Sequence, residues 1–115
     1  MHSLNGAILL DKPKGSSSAY IARKLKHKFD LSKVGHAGTL DPLATGLLVV
    51  LCGKATRLQS QILEGTKEYE GIFRLGIQTT TDDLEGEVIS EDNSFSYIEK
   101  QTFRAWADEL SSHFR

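Results

Sequence analysis

The alternation of apolar and polar residues predicts a strand, a tight turn and an amphipathic helix in the first thirty residues. Residues 6–10 form an apolar run, and residues 11–15 that follow, DKPKG, contain the proline and glycine typical of a turn. Ile21, Leu25 and Phe29 then recur at helical spacing, after serines whose side chains can cap the first amide groups of a helix. We expect a helix that ends near Phe29 and presents basic residues to solvent.

The middle of the chain predicts a loop, a buried strand and a short helix. Residues 33–46 contain several glycines and a proline, which favour a loop over a regular element. Gly46–Cys52 is continuously apolar and is typical of a strand buried on both faces. The spacing of apolar residues over 56–63 predicts a short helix.

The last third of the chain is predicted to contain strands, a loop and a helix. Residues 67–77 alternate in polarity, as in a half-buried strand, whereas residues 78–83 are polar and predict a loop. We expect a brief strand over residues 87–89 and a helix over residues 98–110. That helix spaces three apolar side chains for burial: Phe103, Trp106 and Leu110. Without a long linker, the chain is predicted to form one α+β unit, with a mixed, largely antiparallel sheet and flanking helices.

Composition excludes several classes of protein. Hydrophobic residues make up 39% and charged residues 25% of the 115 residues, which is ordinary for a globular protein. No apolar run is long enough to cross a bilayer, so no membrane association is expected. Cys52 is the single cysteine, and no pair of histidines has ligand spacing, so neither a disulfide nor a metal site is expected. A reducing cytoplasm fits this composition best.

Charge is divided unevenly along the chain. Residues 1–60 contain nine basic and three acidic residues, a net charge of +6, whereas the remainder contains five basic and twelve acidic residues, a net charge of −7. This asymmetry indicates that the first half faces a polyanion. The alternative is a solvated helix face that carries Arg23, Lys24, Lys26 and Lys28.

Residues 34–46 combine reactive side chains with glycines, directly before the apolar strand. His36, Thr39 and Asp41 bring an imidazole, a hydroxyl and a carboxylate into one loop. A loop of reactive side chains held by a rigid strand is a frequent arrangement of active sites, and Pro42 restricts the backbone of Asp41. The structural alternative is that Asp41-Pro42 only starts a turn and that His36 bonds to backbone.

Four ordered segments carry a resemblance to a known family. Residues 35–46, GHAGTLDPLATG, closely resemble the catalytic loop of the TruB family of pseudouridine synthases. Three further segments match in the same order: residues 11–15 with the following serine, residues 67–69, and residues 75–86. The resemblance covers roughly residues 6–89.

The resemblance implies roles for six residues. Asp41 corresponds to the family's catalytic aspartate, Tyr69 to the tyrosine that packs against the flipped uracil, and His36 to a loop histidine that fills the space left by that base. Lys12 is expected to contact phosphates or to support the catalytic loop from below. Gly38 and Thr39 belong to the same loop and are expected to contact RNA. The family uses no cofactor.

The resemblance also implies the substrate and the extent of the domain. The intact family enzyme converts a T-loop uridine of transfer RNA into pseudouridine, and residues 43–45 favour a stand-alone enzyme over a relative that needs a guide RNA. Relatives continue with an arginine that pairs with the aspartate and with a C-terminal RNA-binding domain. We therefore expect residues 1–115 to be the N-terminal portion of the catalytic domain, poorly active alone and prone to self-association.

Two other functions stay open at the level of sequence. One is an RNA-binding or RNA-folding module that keeps the loop without catalysis. The other is a phosphoryl-transfer enzyme with Asp41 as nucleophile, although neither a glycine-rich phosphate loop nor an acidic metal site accompanies it.

Overall fold

The computed structural model describes residues 3–94 and 97–113. The described residues form an α+β protein in which both sheets are antiparallel, which confirms the predicted fold class. The chain divides into two compact units, Met1–Glu70 and Gly71–Arg115, rather than the one unit predicted. Each unit is described below by itself.

The first unit is built on a three-stranded sheet. Its strands are β1 (Gly6–Lys12), β2 (Val34–Ala37) and β3 (Gly46–Cys52), in the spatial order β1-β3-β2. Both outer strands pair antiparallel with β3, so that Lys12 lies opposite Gly46 and His36 lies opposite Val50. The apolar β3 is therefore the centre of the sheet.

Strand β1 alternates between an exposed and a buried face. Ile8 and Leu10 are half-buried, Leu9 and Asp11 are exposed, and Lys12 is fully buried. Since successive side chains of a strand point to opposite faces, Lys12 follows Ile8 and Leu10 onto the inner face. The strand continues two residues beyond the predicted end, and this extension carries a lysine into the interior.

The core lies on one face of the sheet and at the carboxyl end of β3. Its buried apolar members are Ala22, Leu31, Ala37, Leu48, Val50, Leu51 and Cys52. The prediction that β3 is buried on both faces is wrong at its amino end, where Leu47 is 65% exposed. At that end the outer face of the sheet carries Asp11 opposite Leu47, and no further layer covers it among the described residues of this unit.

Two helical segments pack beside β2. Helix α1 (Ser18–Lys28) begins at the N-cap Ser17, whose hydroxyl accepts a hydrogen bond from the amide of Tyr20 at 3.1 Å, and basic residues occupy its last turn. A 3-10 helix (Gly53–Leu58) continues directly into α2 (Gln59–Leu63). These elements confirm the predicted helix to about Phe29 and the helical character of residues 56–63.

Part of the predicted loop over residues 33–46 is a strand. Val34–Ala37 forms β2 because the neighbouring β3 supplies backbone hydrogen-bond partners, with Val34 opposite Cys52 and Ala37 opposite Val49. The prediction of an irregular segment is therefore wrong for these four residues and holds from Gly38 onward.

The second unit contains a two-stranded sheet and a helix. Strand β4 (Ile77–Thr79) pairs antiparallel with β5 (Val88–Glu91), and α3 spans Lys100–His113. The predicted strand over residues 67–77 is wrong except at Ile77. Its polarity alternates as a strand requires, but no neighbouring strand pairs with it among the described residues, and Ile72 is 100% exposed.

Helix α3 confirms the predicted element but not the predicted burial. Phe103 and Trp106 form an edge-to-face pair with ring centroids 5.5 Å apart, yet Phe103, Trp106 and Leu110 are 36%, 48% and 60% exposed. Its apolar face is thus largely open within the described residues of this unit. No helix in the described part of the chain is long and apolar enough to span a membrane.

Candidate catalytic loop and basic pocket

Asp41 lies in the irregular segment that joins β2 to β3. Its side chain is exposed, and its carbonyl oxygen accepts a hydrogen bond from the amide of Ala44 at 2.9 Å, which closes a turn around Pro42. The predicted turn at Asp41-Pro42 is thus present. No basic side chain forms an ion pair with Asp41 within residues 3–94 and 97–113. The carboxylate is therefore presented to solvent from a defined backbone.

The residue before Asp41 is held by the first residue of α1. The Ser18 hydroxyl donates to the carbonyl of Leu40 and accepts from the amide of Leu40, both at 3.0 Å. Ser18 is 1% exposed, so these two hydrogen bonds are shielded from water. The backbone of Leu40 is consequently fixed to the start of the helix.

The residue after Asp41 is held by the turn that follows β1. The Lys12 ammonium donates to the carbonyl oxygens of Pro13, Ser16 and Pro42 at 2.8, 2.7 and 3.0 Å. The amide of Gly15 donates to the same Pro42 oxygen at 2.7 Å. Because an ammonium has three donor hydrogens, all three of Lys12 are used inside the protein.

The three hydrogen bonds of Lys12 distinguish between its two expected roles, which are contact with phosphates and support of the loop. Its side chain is 0% exposed and has no donor hydrogen left for a phosphate. Its contact with Pro42 holds the loop that contains Asp41. Lys12 is therefore not available as a phosphate ligand in this structure.

His36 lies on β2, on the same face of the sheet as Val50. Its side chain is half-buried, and its ring Nδ1 is buried without a hydrogen-bond partner among the described residues. Its carbonyl oxygen accepts from Gln59 Nε2 at 2.9 Å. The alternative that the ring bonds to backbone is therefore not realised at Nδ1. An unpartnered buried ring nitrogen is uncommon and costs free energy unless a ligand supplies a partner.

The remaining predicted residues are placed differently. Gly38 has a φ of +75°, a backbone conformation that favours glycine, and Thr39 next to it is exposed. Tyr69 lies in an irregular segment near the end of the first unit, and its side chain is 70% exposed. The structure brings Lys12, Gly38 and Thr39 to the Asp41 loop, whereas proximity of Tyr69 to Asp41 stays a prediction.

A basic pocket lies at the opposite end of the sheet. It has a volume of about 410 Å³ and is lined by Ser3, Asn5, Ser32, Lys33, Gly53, Lys54, Thr56 and Arg57. Gly53 follows the carboxyl end of β3, whereas Asp41 precedes its amino end. A seven-residue strand separates the two sites by on the order of 20 Å. Three basic side chains and several hydroxyl and amide groups make this pocket suited to an anion.

Sequence reasoning assigned no site role to Ser18 or to the lining of the basic pocket. The pocket residues are separated along the chain, and only the net charge of the first half indicated them. Residues 16–18 are all serine, although one serine is enough to cap the helix. This surplus was the available signal for Ser18. Within the described residues, no group of three or more histidine, cysteine, aspartate or glutamate side chains is placed to bind a metal ion.

Asp83 organises the turn between β4 and β5. Its carboxylate accepts hydrogen bonds from the Thr81 hydroxyl and from the amide of Glu85, and the Thr81 bond is the main reason that the pKa of Asp83 lies below its usual value. Asp83 therefore braces this turn by local hydrogen bonds.

Comparison with known proteins places these features in a family. Residues 26–115 match the model of the TruB family pseudouridylate synthase (N terminal domain). The tRNA pseudouridine synthase B of Blochmanniella pennsylvanica is 51% identical over 87 residues, which cover 76% of this chain and 34% of the relative. The protein of the same name from Bifidobacterium longum is 48% identical over 92 residues, which cover 80% of this chain and 24% of the relative.

A solved structure is also similar. One chain of an H/ACA RNP bound to a substrate RNA containing 2′-deoxyuridine is 45% identical, with a TM-score of 0.48, and the match covers 49% of this chain and 18% of that chain. The chain spans about a quarter to a third of the length of the curated relatives it matches. Because the family match covers well over half of its residues, the chain belongs to the TruB family of pseudouridylate synthases.

Proposed function

We propose that this chain carries the catalytic loop of a tRNA pseudouridine synthase and that Asp41 is its catalytic carboxylate. The observation that supports this most directly is the placement of Asp41. Its side chain is exposed, while its neighbours Leu40 and Pro42 are held by the buried side chains of Ser18 and Lys12. A reactive group on a loop that is fixed on both sides is preorganised for attack on a bound substrate.

The proposed reaction needs one carboxylate. The bond between C1′ of the ribose and N1 of uracil breaks, the base turns, and C5 of the base bonds to C1′. C5 loses its proton and N1 gains one, so that substrate and product are isomers. Asp41 acts as the nucleophile or base in this isomerisation. Since no water enters the product, the second carboxylic acid that glycoside hydrolysis normally requires has no counterpart here.

The uridine must leave its stack in the RNA before Asp41 reaches it. We assign contacts with the extruded nucleotide to the residues around Asp41. His36, half-buried on β2, is assigned to the space left by the extruded base, and Gly38 and the exposed Thr39 are assigned to contacts with the RNA. Tyr69 has an exposed ring that is available to stack on the uracil.

The basic pocket supplies contacts with the RNA backbone. Lys33, Lys54 and Arg57 surround it, and its distance from Asp41 suits an RNA that extends beyond the reacting nucleotide. Contacts of this kind position an RNA without reading its sequence. This pocket supports the proposal that the positive first half of the chain faces a polyanion.

The substrate and the domain are parts of the same proposal. The substrate is a T-loop uridine in the T stem-loop of transfer RNA, and no guide RNA is required. Residues 1–115 are the N-terminal portion of a catalytic domain that is longer in the curated relatives. The open apolar face of α3 is consistent with this assignment and with self-association of the 115-residue chain.

The decisive experiment compares the parent chain with Asp41→Asn in pseudouridine formation on an unmodified transfer RNA transcript. Asp108→Asn, an exposed aspartate on α3, is the matched control. Because the chain is only part of a catalytic domain, the proposal predicts low but measurable product from the parent and the control. It predicts none from Asp41→Asn and none from a transcript with cytidine at the T-loop position. Equal product from all three proteins would refute the assignment of Asp41. Tight RNA binding by all three without product would favour an RNA-binding module.

A further inference from the structure

We infer that Ser18 is a positioning residue for Asp41, which acts through the backbone of Leu40. The inference rests on the proposed function of Asp41 and extends it to a residue outside the loop. The Ser18 hydroxyl bonds to both polar backbone groups of Leu40, with the amide donating to it and the carbonyl accepting from it, each at 3.0 Å. A single side chain thus fixes both peptide planes that flank Leu40.

These two hydrogen bonds set the direction in which the chain enters Asp41. The carbonyl of Leu40 belongs to the peptide that continues into Asp41, so a rotation of that peptide moves the Asp41 Cα and its carboxylate. Ser18 is 1% exposed, and water cannot replace its hydroxyl without a rearrangement of the surrounding structure. The carboxylate itself is exposed and makes no ion pair in the described part of the chain, which leaves its backbone as the source of its orientation.

The position of Ser18 in α1 makes it a rigid anchor. It is the first residue of the helix, and Ala22, one turn later, is also buried. The N-cap function belongs to the neighbouring residue Ser17, which accepts from the amide of Tyr20. The Ser18 hydroxyl is therefore not required to start the helix and is committed to the loop.

The two adjacent serines provide a matched pair for a test. Ser17→Ala removes the cap of α1 and leaves the bonds to Leu40 intact, whereas Ser18→Ala removes those bonds and leaves the cap intact. Ser18→Cys is a second variant, since a thiol has nearly the same shape as a hydroxyl but is a weak hydrogen-bonding group. It keeps the test informative if Ser18→Ala does not fold.

The first measurement separates catalysis from binding in the full chain. Single-turnover rates of pseudouridine formation and the Kd for the same transfer RNA are measured for the parent and the three variants, with folding checked by circular dichroism. We expect Ser18→Ala and Ser18→Cys to lower the single-turnover rate by about 10- to 100-fold, because small misplacements of a reacting group have effects of that size. The Kd should stay within about twofold of the parent, and Ser17→Ala should retain nearly the parent rate.

The second measurement is hydrogen exchange at the Leu40 amide, which does not depend on activity. Ser18→Ala should accelerate this exchange by at least about tenfold relative to amides of β3, because the amide loses its partner, whereas Ser17→Ala should not. Equal single-turnover rates and equal exchange at the Leu40 amide in Ser17→Ala and Ser18→Ala would overturn the inference. A Ser18→Ala variant that changed only the Kd for transfer RNA would also overturn it. An inactive parent with accelerated exchange in Ser18→Ala would overturn the proposed function and still support the anchoring of the loop by Ser18.

Discussion

The ammonium nitrogen of Lys12 lies 3.0 Å from the carbonyl oxygen of Pro42, which joins the buried end of β1 to the residue that follows Asp41. The same ammonium donates to Pro13 and Ser16, so the turn after β1 and the loop before β3 share one buried centre. A lysine with this set of partners acts by fixing backbone, in contrast to an exposed lysine that attracts phosphate. The geometry of the candidate active site therefore depends on a residue that does not face the substrate.

Removal of this centre should destabilise the protein. Lys12→Met keeps the apolar stem and removes three donors, so that the carbonyls of Pro13 and Ser16 lose the Lys12 hydrogen bond and Pro42 retains only Gly15. We expect a loss of about 1–3 kcal/mol in the free energy of unfolding, the usual cost of buried groups left without partners. Urea denaturation followed by circular dichroism measures this loss. Lys14→Met, an exposed position two residues away, is the control; identical midpoints for the two variants would contradict the assignment.

The position of Lys12 could have been predicted from sequence and was missed for an identifiable reason. Residues 8, 10 and 12 share one face of a strand, but Pro13 and Gly15 favoured a turn that begins at residue 11. The structure shows that the strand runs up to the proline, so the alternation of Ile8 and Leu10 extends to Lys12. A lysine at a buried position of an alternating strand is a signal for an internal anchor.

Other features depend on contacts that a single sequence does not contain. Strand β2 forms because β3 lies beside it, although its own four residues include a glycine and a histidine. Residues 67–77 show the opposite case, since their pattern is that of a strand but no partner strand is present among the described residues. The contact of Ser18 with Leu40 joins positions 22 residues apart, and local spacing gives no sign of it. The irregular segment from Gly38 onward, which contains Asp41, was predicted because its residues belong to a contiguous motif.

Gly38 should be required for its backbone conformation rather than for lack of space. Its φ is +75°, yet an added Cβ would meet no heavy atom within 4 Å. Gly38→Ala should therefore cost about 1–2 kcal/mol, the penalty of a left-handed conformation for an alanine. Gly71→Ala is the control, because that position has equal space and no positive φ. Chemical denaturation of both variants tests this prediction, and equal losses would argue against a conformational role for Gly38.

The turn between β4 and β5 should respond to acid through Asp83. Its pKa lies below the usual value, mainly because the Thr81 hydroxyl donates to the carboxylate and secondarily because of the Glu85 amide. A lowered pKa in the folded state contributes stability above the ordinary pKa of 3.8, and this contribution is lost as the pH falls through the folded value. Thr81→Val should shift the NMR titration of the Asp83 carboxyl upward. Thr80→Val is the control. Because the Thr80 hydroxyl accepts from the amide of Glu87, this substitution should leave the titration of Asp83 unchanged.

The basic pocket should determine how strongly RNA binding depends on salt. Each phosphate neutralised by a basic side chain releases a counterion, so the logarithm of the binding constant falls with the logarithm of the salt concentration. Arg57→Gln should reduce the magnitude of that slope by about 1 and weaken binding to different RNA sequences equally.

Lys12→Met should leave the slope unchanged, because the Lys12 ammonium is buried and fully bonded. Lys100→Gln on α3 is the surface control. Filter-binding titrations at several salt concentrations measure these slopes. An unchanged slope in Arg57→Gln would remove the pocket from the RNA interface, whereas a reduced slope in Lys12→Met would show that this lysine becomes accessible to RNA.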